Sequence, residues 1–136
     1  MLTLKGRVIL HHTADSVVVD AQLPPHKLTT ETLNGLFVSE QDEKAVYFGA
    51  AQIHTFDNAS FIAQVMEIYG FDDGSTIATK AEIPFVENGS NTYAGELTVM
   101  GGTGRFKGIK GRGRMNGWSN GYNARHDIEI TYSTPS

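Results

Sequence analysis

Two ionisable residues in this sequence keep company that does not suit a charge. Glu67 lies in Phe61-Ile-Ala-Gln-Val-Met-Glu-Ile-Tyr-Gly70, where period-two alternation sets it on one face with Phe61, Ala63, Val65 and Tyr69. An isolated buried carboxylate is strongly penalised, so this one must be paired, hydrogen-bonded or protonated. Burial of that kind moves a carboxyl pKa toward neutrality, where general acid–base chemistry operates. The other face, Ile62, Gln64, Met66 and Ile68, is also largely apolar. Alternation alone therefore does not say which face turns inward. His126 occupies a similar row, Tyr122, Ala124, His126, Ile128, Ile130 and Tyr132. Its imidazole reads as a hydrogen-bonded core group or as a proton carrier. The expected site combines Glu67 and His126 as acid–base groups with Tyr69 or Tyr47 donating a hydrogen bond. Phe61, Val65, Tyr122 and Ile128 are expected to contact a ligand.

Other chemistries fit the residues poorly. The five histidines, His11, His12, His26, His54 and His126, show no local metal-binding spacing, and there is no cysteine. Gly102-Thr-Gly-Arg-Phe-Lys-Gly108 lacks the Gly-Lys-Ser/Thr of a phosphate loop and runs into a strand pattern instead of a helix. No Gly-x-Ser-x-Gly elbow is present, and the sequence argues no hydrolase triad. We therefore expect neither a metal nor an organic cofactor. The net charge of −4 disfavours a nucleic-acid partner. The basic residues Arg105, Lys107, Lys110, Arg112 and Arg114 alternate as a solvated strand face would. Gly111, Gly113 and Met115 would then face inward, with the glycines leaving space for a cavity or permitting tight strand coiling. No apolar run suggests a leader or a membrane span, so a cytoplasmic location is expected.

These side chains need a β scaffold. The chain has 136 residues, enough for one domain over residues 1–136, and its 15 glycines favour turns and coiled strands over helices. Strand patterns run Leu2–Leu10, Leu36–Ser39, Lys44–Phe56, Phe61–Gly70, Ser75–Val86, Tyr93–Met100, Ile109–Trp118 and Tyr122–Tyr132, with a short apolar run at Val17–Val19. Turns are predicted at Thr13–Asp15, Glu40–Glu43, Asp57-Asn58, Asp72-Asp73-Gly74, Asn88-Gly89 and Ser119-Asn120-Gly121. Ala21–Asn34, with Pro24-Pro25, shows no period and reads as a long loop with one helical turn at Thr30–Leu33. The fold class predicted is all-β: one closed, antiparallel, eight-stranded barrel.

Gly95-Glu-Leu-Thr-Val-Met-Gly-Gly-Thr-Gly-Arg-Phe-Lys-Gly-Ile-Lys-Gly-Arg-Gly113 resembles the hairpin of the allene oxide cyclase and dirigent barrels. Tyr69-Gly-Phe-Asp-Asp-Gly-Ser-Thr76 and Ile128-Glu-Ile-Thr-Tyr132 resemble segments of bacterial relatives. The resemblance implies an eight-stranded calycin-type barrel, commonly oligomeric, with an apolar cavity and no cofactor. In that family the glycine motif is scaffold, so it transfers fold and not catalysis. The function expected is binding of a small, largely apolar molecule and promotion of its cyclisation or isomerisation. The alternatives are a non-catalytic, lipocalin-like carrier and a filled barrel acting as an assembly module. The apolar face of Ile62, Met66 and Ile68 leads us to expect a homodimer or homotrimer.

Overall fold

The computed structural model describes residues 1–20, 26–55, 60–86, 91–120 and 122–135; for 16–20, 26, 60–61 and 85–86 it describes the backbone alone. Eight strands follow one another: β1 (Leu2–Asp20), β2 (His26–Ser39), β3 (Lys44–Thr55), β4 (Ser60–Phe71), β5 (Thr76–Val86), β6 (Thr92–Thr103), β7 (Lys110–Ser119) and β8 (Asn123–Ser133). Each pairs antiparallel with its neighbours in sequence, and β8 returns to β1, so the sheet closes into a barrel. A three-residue 3₁₀ turn, Gly104–Phe106, is the only helical element among the described residues. None of the described helices is long and apolar enough to cross a membrane.

Alternation sorts the side chains. Val8, Phe37, Tyr47, Tyr69, Ile77, Leu97, Met115 and Ile130 point into the lumen and are almost wholly buried. Outside, a belt of exposed apolar residues crosses four adjacent strands through the register pairs Ile9–Leu36, Leu36–Val46 and Phe48–Ile68, with Met66 beside it.

One end of the barrel is stoppered by rings. Phe106 stacks at 5.2 Å on Phe71 and at 5.9 Å on Tyr132, and Phe71 packs edge-on against Phe37. The Arg105 guanidinium covers both Phe71 and Phe106 from outside, at 5.1 and 4.6 Å from the ring centres. Glu43 and Asp73 hold that guanidinium by ion pairs. The glycine motif makes this stopper. Gly104 has φ +62°, and a Cβ there would strike Ser75, whose hydroxyl accepts the Arg105 N–H at 3.1 Å. The inward glycines of β7 answer the question left open by the sequence. A Cβ on Gly113 would strike the Glu129 carbonyl oxygen of β8, so that glycine serves tight strand coiling.

Two predicted segments are different in the structure. Residues 13–15 do not turn: β1 continues to Asp20, pairing Thr13 with Thr32 and Asp15 with Thr30. The predicted loop and helical turn of 21–34 is, from His26 onward, strand β2. Thr29, Thr30 and Thr32 are β-branched and suit a pleated wall. Its inward row is Glu31, Leu33, Gly35, Phe37 and Ser39, which disguises the alternation because three of the five are not apolar. The predictions at Pro24-Pro25, Asp57-Asn58, Asn88-Gly89 and Gly121 fall outside the described residues.

Candidate functional site

Strands β4 and β8 lie opposite each other in the ring, four steps apart in either direction. Each points one ionisable side chain across the lumen. Glu67, 1% exposed, descends from β4, and His126, 3% exposed, from β8. Their nearest atoms, Glu67 Oε2 and His126 Nε2, are 3.7 Å apart. The inward face of β4 is therefore Ala63, Val65, Glu67, Tyr69 and Phe71, while Ile62, Met66 and Ile68 face outward.

Hydrogen bonds fix both groups. The Tyr47 hydroxyl on β3 donates a short bond to Glu67 Oε2, and the Thr79 hydroxyl on β5 donates to Oε1 at 3.3 Å. On the far side Tyr93 of β6 shares a 2.8 Å bond with His126 Nδ1. Gly117 makes room for that bond: a Cβ there would lie 2.6 Å from both Tyr93 Oη and His126 Cβ. Below the pair, Tyr69 stacks edge-on against Tyr47 at 5.4 Å and against Phe37 at 5.5 Å. Among the described residues, neither the Tyr69 hydroxyl nor His126 Nε2 has a hydrogen-bond partner. Both are buried polar atoms, and each lies on or beside the Glu67–His126 pair.

Burial governs the protonation. Loss of hydration pushes the Glu67 carboxyl up to about 7, against the opposing effect of the bonds from Tyr47 and Thr79. The same loss lowers His126 to about 4, against the raising effect of Asp127. Between those values the pair holds one proton and no net charge, and the proton resides on the carboxyl. Desolvation first, and the Glu67 carboxylate second, keep Tyr47, Tyr69 and Tyr93 in the phenol form. The lumen thus carries an acid of near-neutral pKa, an uncharged imidazole and three phenols.

The structure brings Glu67, His126, Tyr69 and Tyr47 together, with Val65 and Ile128 on the same inner wall. It does not place Tyr122 there. That ring is 71% exposed, because Tyr122 precedes β8 in a turn where Asn120 Oδ1 accepts its N–H at 3.0 Å. The Phe61 side chain falls outside the described set. Thr79 and Tyr93 are additional members that sequence reasoning passed over. Each sits in a regular period-two row, Ile77-Thr79-Ala81-Ile83 and Tyr93-Gly95-Leu97-Val99, and that was the available signal. A separate groove of about 1130 Å³ runs along the outer wall between β3 and β7, lined by Ile62, Met66, Lys80, Glu82, Glu96 and Arg114. Neither of the predicted acid–base residues nor Tyr69 or Tyr47 lines it, although Val65, expected to contact a ligand, does.

No family model and no curated protein matches the sequence. Among solved structures, the chain is similar to a pterocarpan synthase dirigent protein, with a TM-score of 0.56 and 14% sequence identity. The match covers 98% of this chain and 89% of that one, so the barrel is dirigent-like in fold.

Proposed function

We propose that this barrel binds a small, largely apolar molecule against the Glu67–His126 pair and promotes its cyclisation or isomerisation. The observation that carries the reading is the pair itself: a wholly buried carboxyl with a pKa of about 7, facing an uncharged imidazole across the lumen. A structural role alone would be met more cheaply by apolar residues of similar volume. The fold supports the reading to the extent that its solved neighbour is named as a synthase. An allene oxide cyclase-like reaction is one form it could take.

The mechanism is confinement plus proton transfer. Apolar walls such as Val65 and Ile128 hold a flexible molecule in its reactive shape. Glu67 removes a proton from one atom and returns it to another, which isomerises the molecule without oxidant or cofactor. Tyr69 Oη and His126 Nε2 donate to oxygen as charge develops on it. Copies of the chain associate through the outer apolar belt as a homodimer or homotrimer, which leaves the lumen free.

The test begins with mass spectrometry of natively purified protein, to identify a retained small molecule. Turnover of that molecule, or of a close precursor, is then compared in the natural chain and in Glu67→Gln. Loss of a general base lowers turnover by about 10²-fold or more. Affinity and the folded structure change much less. A change in affinity without any turnover to lose would make the barrel a carrier, and a change in stability alone would make the pair structural; either outcome sinks the proposal.

A further inference from the structure

A second polar cluster lies toward the barrel end opposite the aromatic stopper, and it shares no side chain with the Glu67–His126 site. His12 of β1, buried, is flanked on both ring nitrogens. Its Nε2 lies 3.2 Å from Ser119 Oγ at the end of β7. Its Nδ1 lies 3.6 Å from Glu31 Oε2 on β2 and, among the described residues, has no hydrogen-bond partner. Three strands supply one residue each. The backbone locks two of them in place: His12 N–H donates to the Tyr122 carbonyl at 2.8 Å, and Ser119 N–H to the Asn91 carbonyl at 2.9 Å. Glu31 is largely buried, with its side chain 16% exposed. Desolvation raises its pKa, and the charge of His12 opposes the rise.

Hydroxyl, imidazole and carboxylate in that order, with the hydroxyl on one ring nitrogen and the carboxylate on the other, is the arrangement of an activated serine. Such triads occur on unrelated scaffolds in unrelated chain orders and are recognised by geometry. We infer that Ser119, His12 and Glu31 form a nucleophilic triad that hydrolyses small activated esters, an activity separate from the Glu67–His126 chemistry. Ser119 Oγ bonds to the ester carbonyl carbon while its proton passes to His12 Nε2. Collapse of the adduct breaks the bond to the leaving oxygen, which takes that proton away as an alcohol or phenol. Water, losing a proton to the same nitrogen, then attacks the acyl-serine. A carboxylic acid leaves, and Ser119 recovers its proton. Glu31 orients the ring and steadies its positive charge.

The substrate class follows from what the site withholds. In many serine hydrolases, backbone amides stabilise the oxyanion. Here the Ser119 amide is already bound to Asn91. Aryl esters, whose leaving group departs readily, ask least of an oxyanion donor other than that amide and are the class the site fits.

The experiment uses the full chain, a fluorophosphonate that bonds covalently to activated serines, and 4-nitrophenyl acetate. Intact-mass and peptide mapping should show one phosphonyl group, on Ser119, in folded protein and none in denaturant. Ser119→Ala, a small change at a half-buried strand end, should abolish the adduct and lower ester hydrolysis by about 10²-fold or more. His12→Asn and Glu31→Gln should slow labelling in protein whose circular dichroism is unchanged. Labelling absent from Ser119, labelling equal in denaturant, or hydrolysis intact in Ser119→Ala would each overturn the triad, and none of them bears on Glu67.

Discussion

Replacing Glu67 by Gln should change how stability depends on pH in a direction opposite to that of most carboxylates. The folded pKa of Glu67 is about 7, raised from an ordinary 4.5. Between those values the native state keeps a proton that the unfolded chain has lost. Stability contributed by the protonated carboxyl is therefore complete below about pH 4.5 and is lost as pH rises through about 7. Two and a half pH units correspond to about 3 kcal/mol. His126 runs the other way. Its folded pKa of about 4 lies below the usual 6.5, so its contribution is lost as pH falls toward 4. In the natural chain the two slopes oppose one another over most of pH 4.5–6.5, and the pair leaves little trace. The Glu67→Gln substitution uncovers the imbalance. Urea unfolding of both proteins across pH 4.5–8 should show the difference, natural chain minus Glu67→Gln, falling by about 3 kcal/mol as pH rises. A difference that stays flat, or that grows with pH, would mean that Glu67 is ionised in the folded protein and that the proton assignment is wrong.

Two further outcomes are expected. Sedimentation of the natural chain at micromolar concentration should show a dimer or trimer, and Phe48→Glu, in the middle of the outer belt, should yield a folded monomer; a monomeric natural chain refutes the interface. Arg105→Ala should lower stability by roughly 1–2 kcal/mol, since it removes two ring contacts and two half-exposed ion pairs, and urea unfolding at low and high salt should show that only part of the loss is screened.

Much of this molecule was readable wherever the inward row was apolar. On β8 the run Ala124, His126, Ile128, Ile130 gave the correct face, whereas on β4 the outer row Ile62, Met66 and Ile68 is also apolar and left the face of Glu67 open. Period two sufficed to aim His126 inward, but only the closed barrel decided that Glu67 faces the same lumen. Alternation failed on β2, where Glu31, Gly35 and Ser39 point inward and Leu36 and Val38 point out. There the polar interior and the sticky exterior invert the pattern on which the reading relies. Tyr122 was misplaced for a local reason, because the Asn120 side chain bends the chain one residue before alternation begins. The Ser119–His12–Glu31 cluster could not be read at all. Its members lie 107 residues apart at the extremes, and only barrel closure makes them neighbours.

The placement of Glu67 and His126 on opposite strands has a consequence for how the barrel can be monitored. Along the sheet they are four strand spacings apart, about 19 Å at the usual interval between strands. Across the closed lumen their side-chain tips, Glu67 Oε2 and His126 Nε2, come within 3.7 Å. Their contact is thus a gauge of circumference: flattening the cross-section, unzipping any one seam or inserting a strand would separate them long before secondary structure was lost. The carboxyl stretch of a protonated Glu67, visible in the infrared, then becomes an optical calliper on the roundness of the barrel.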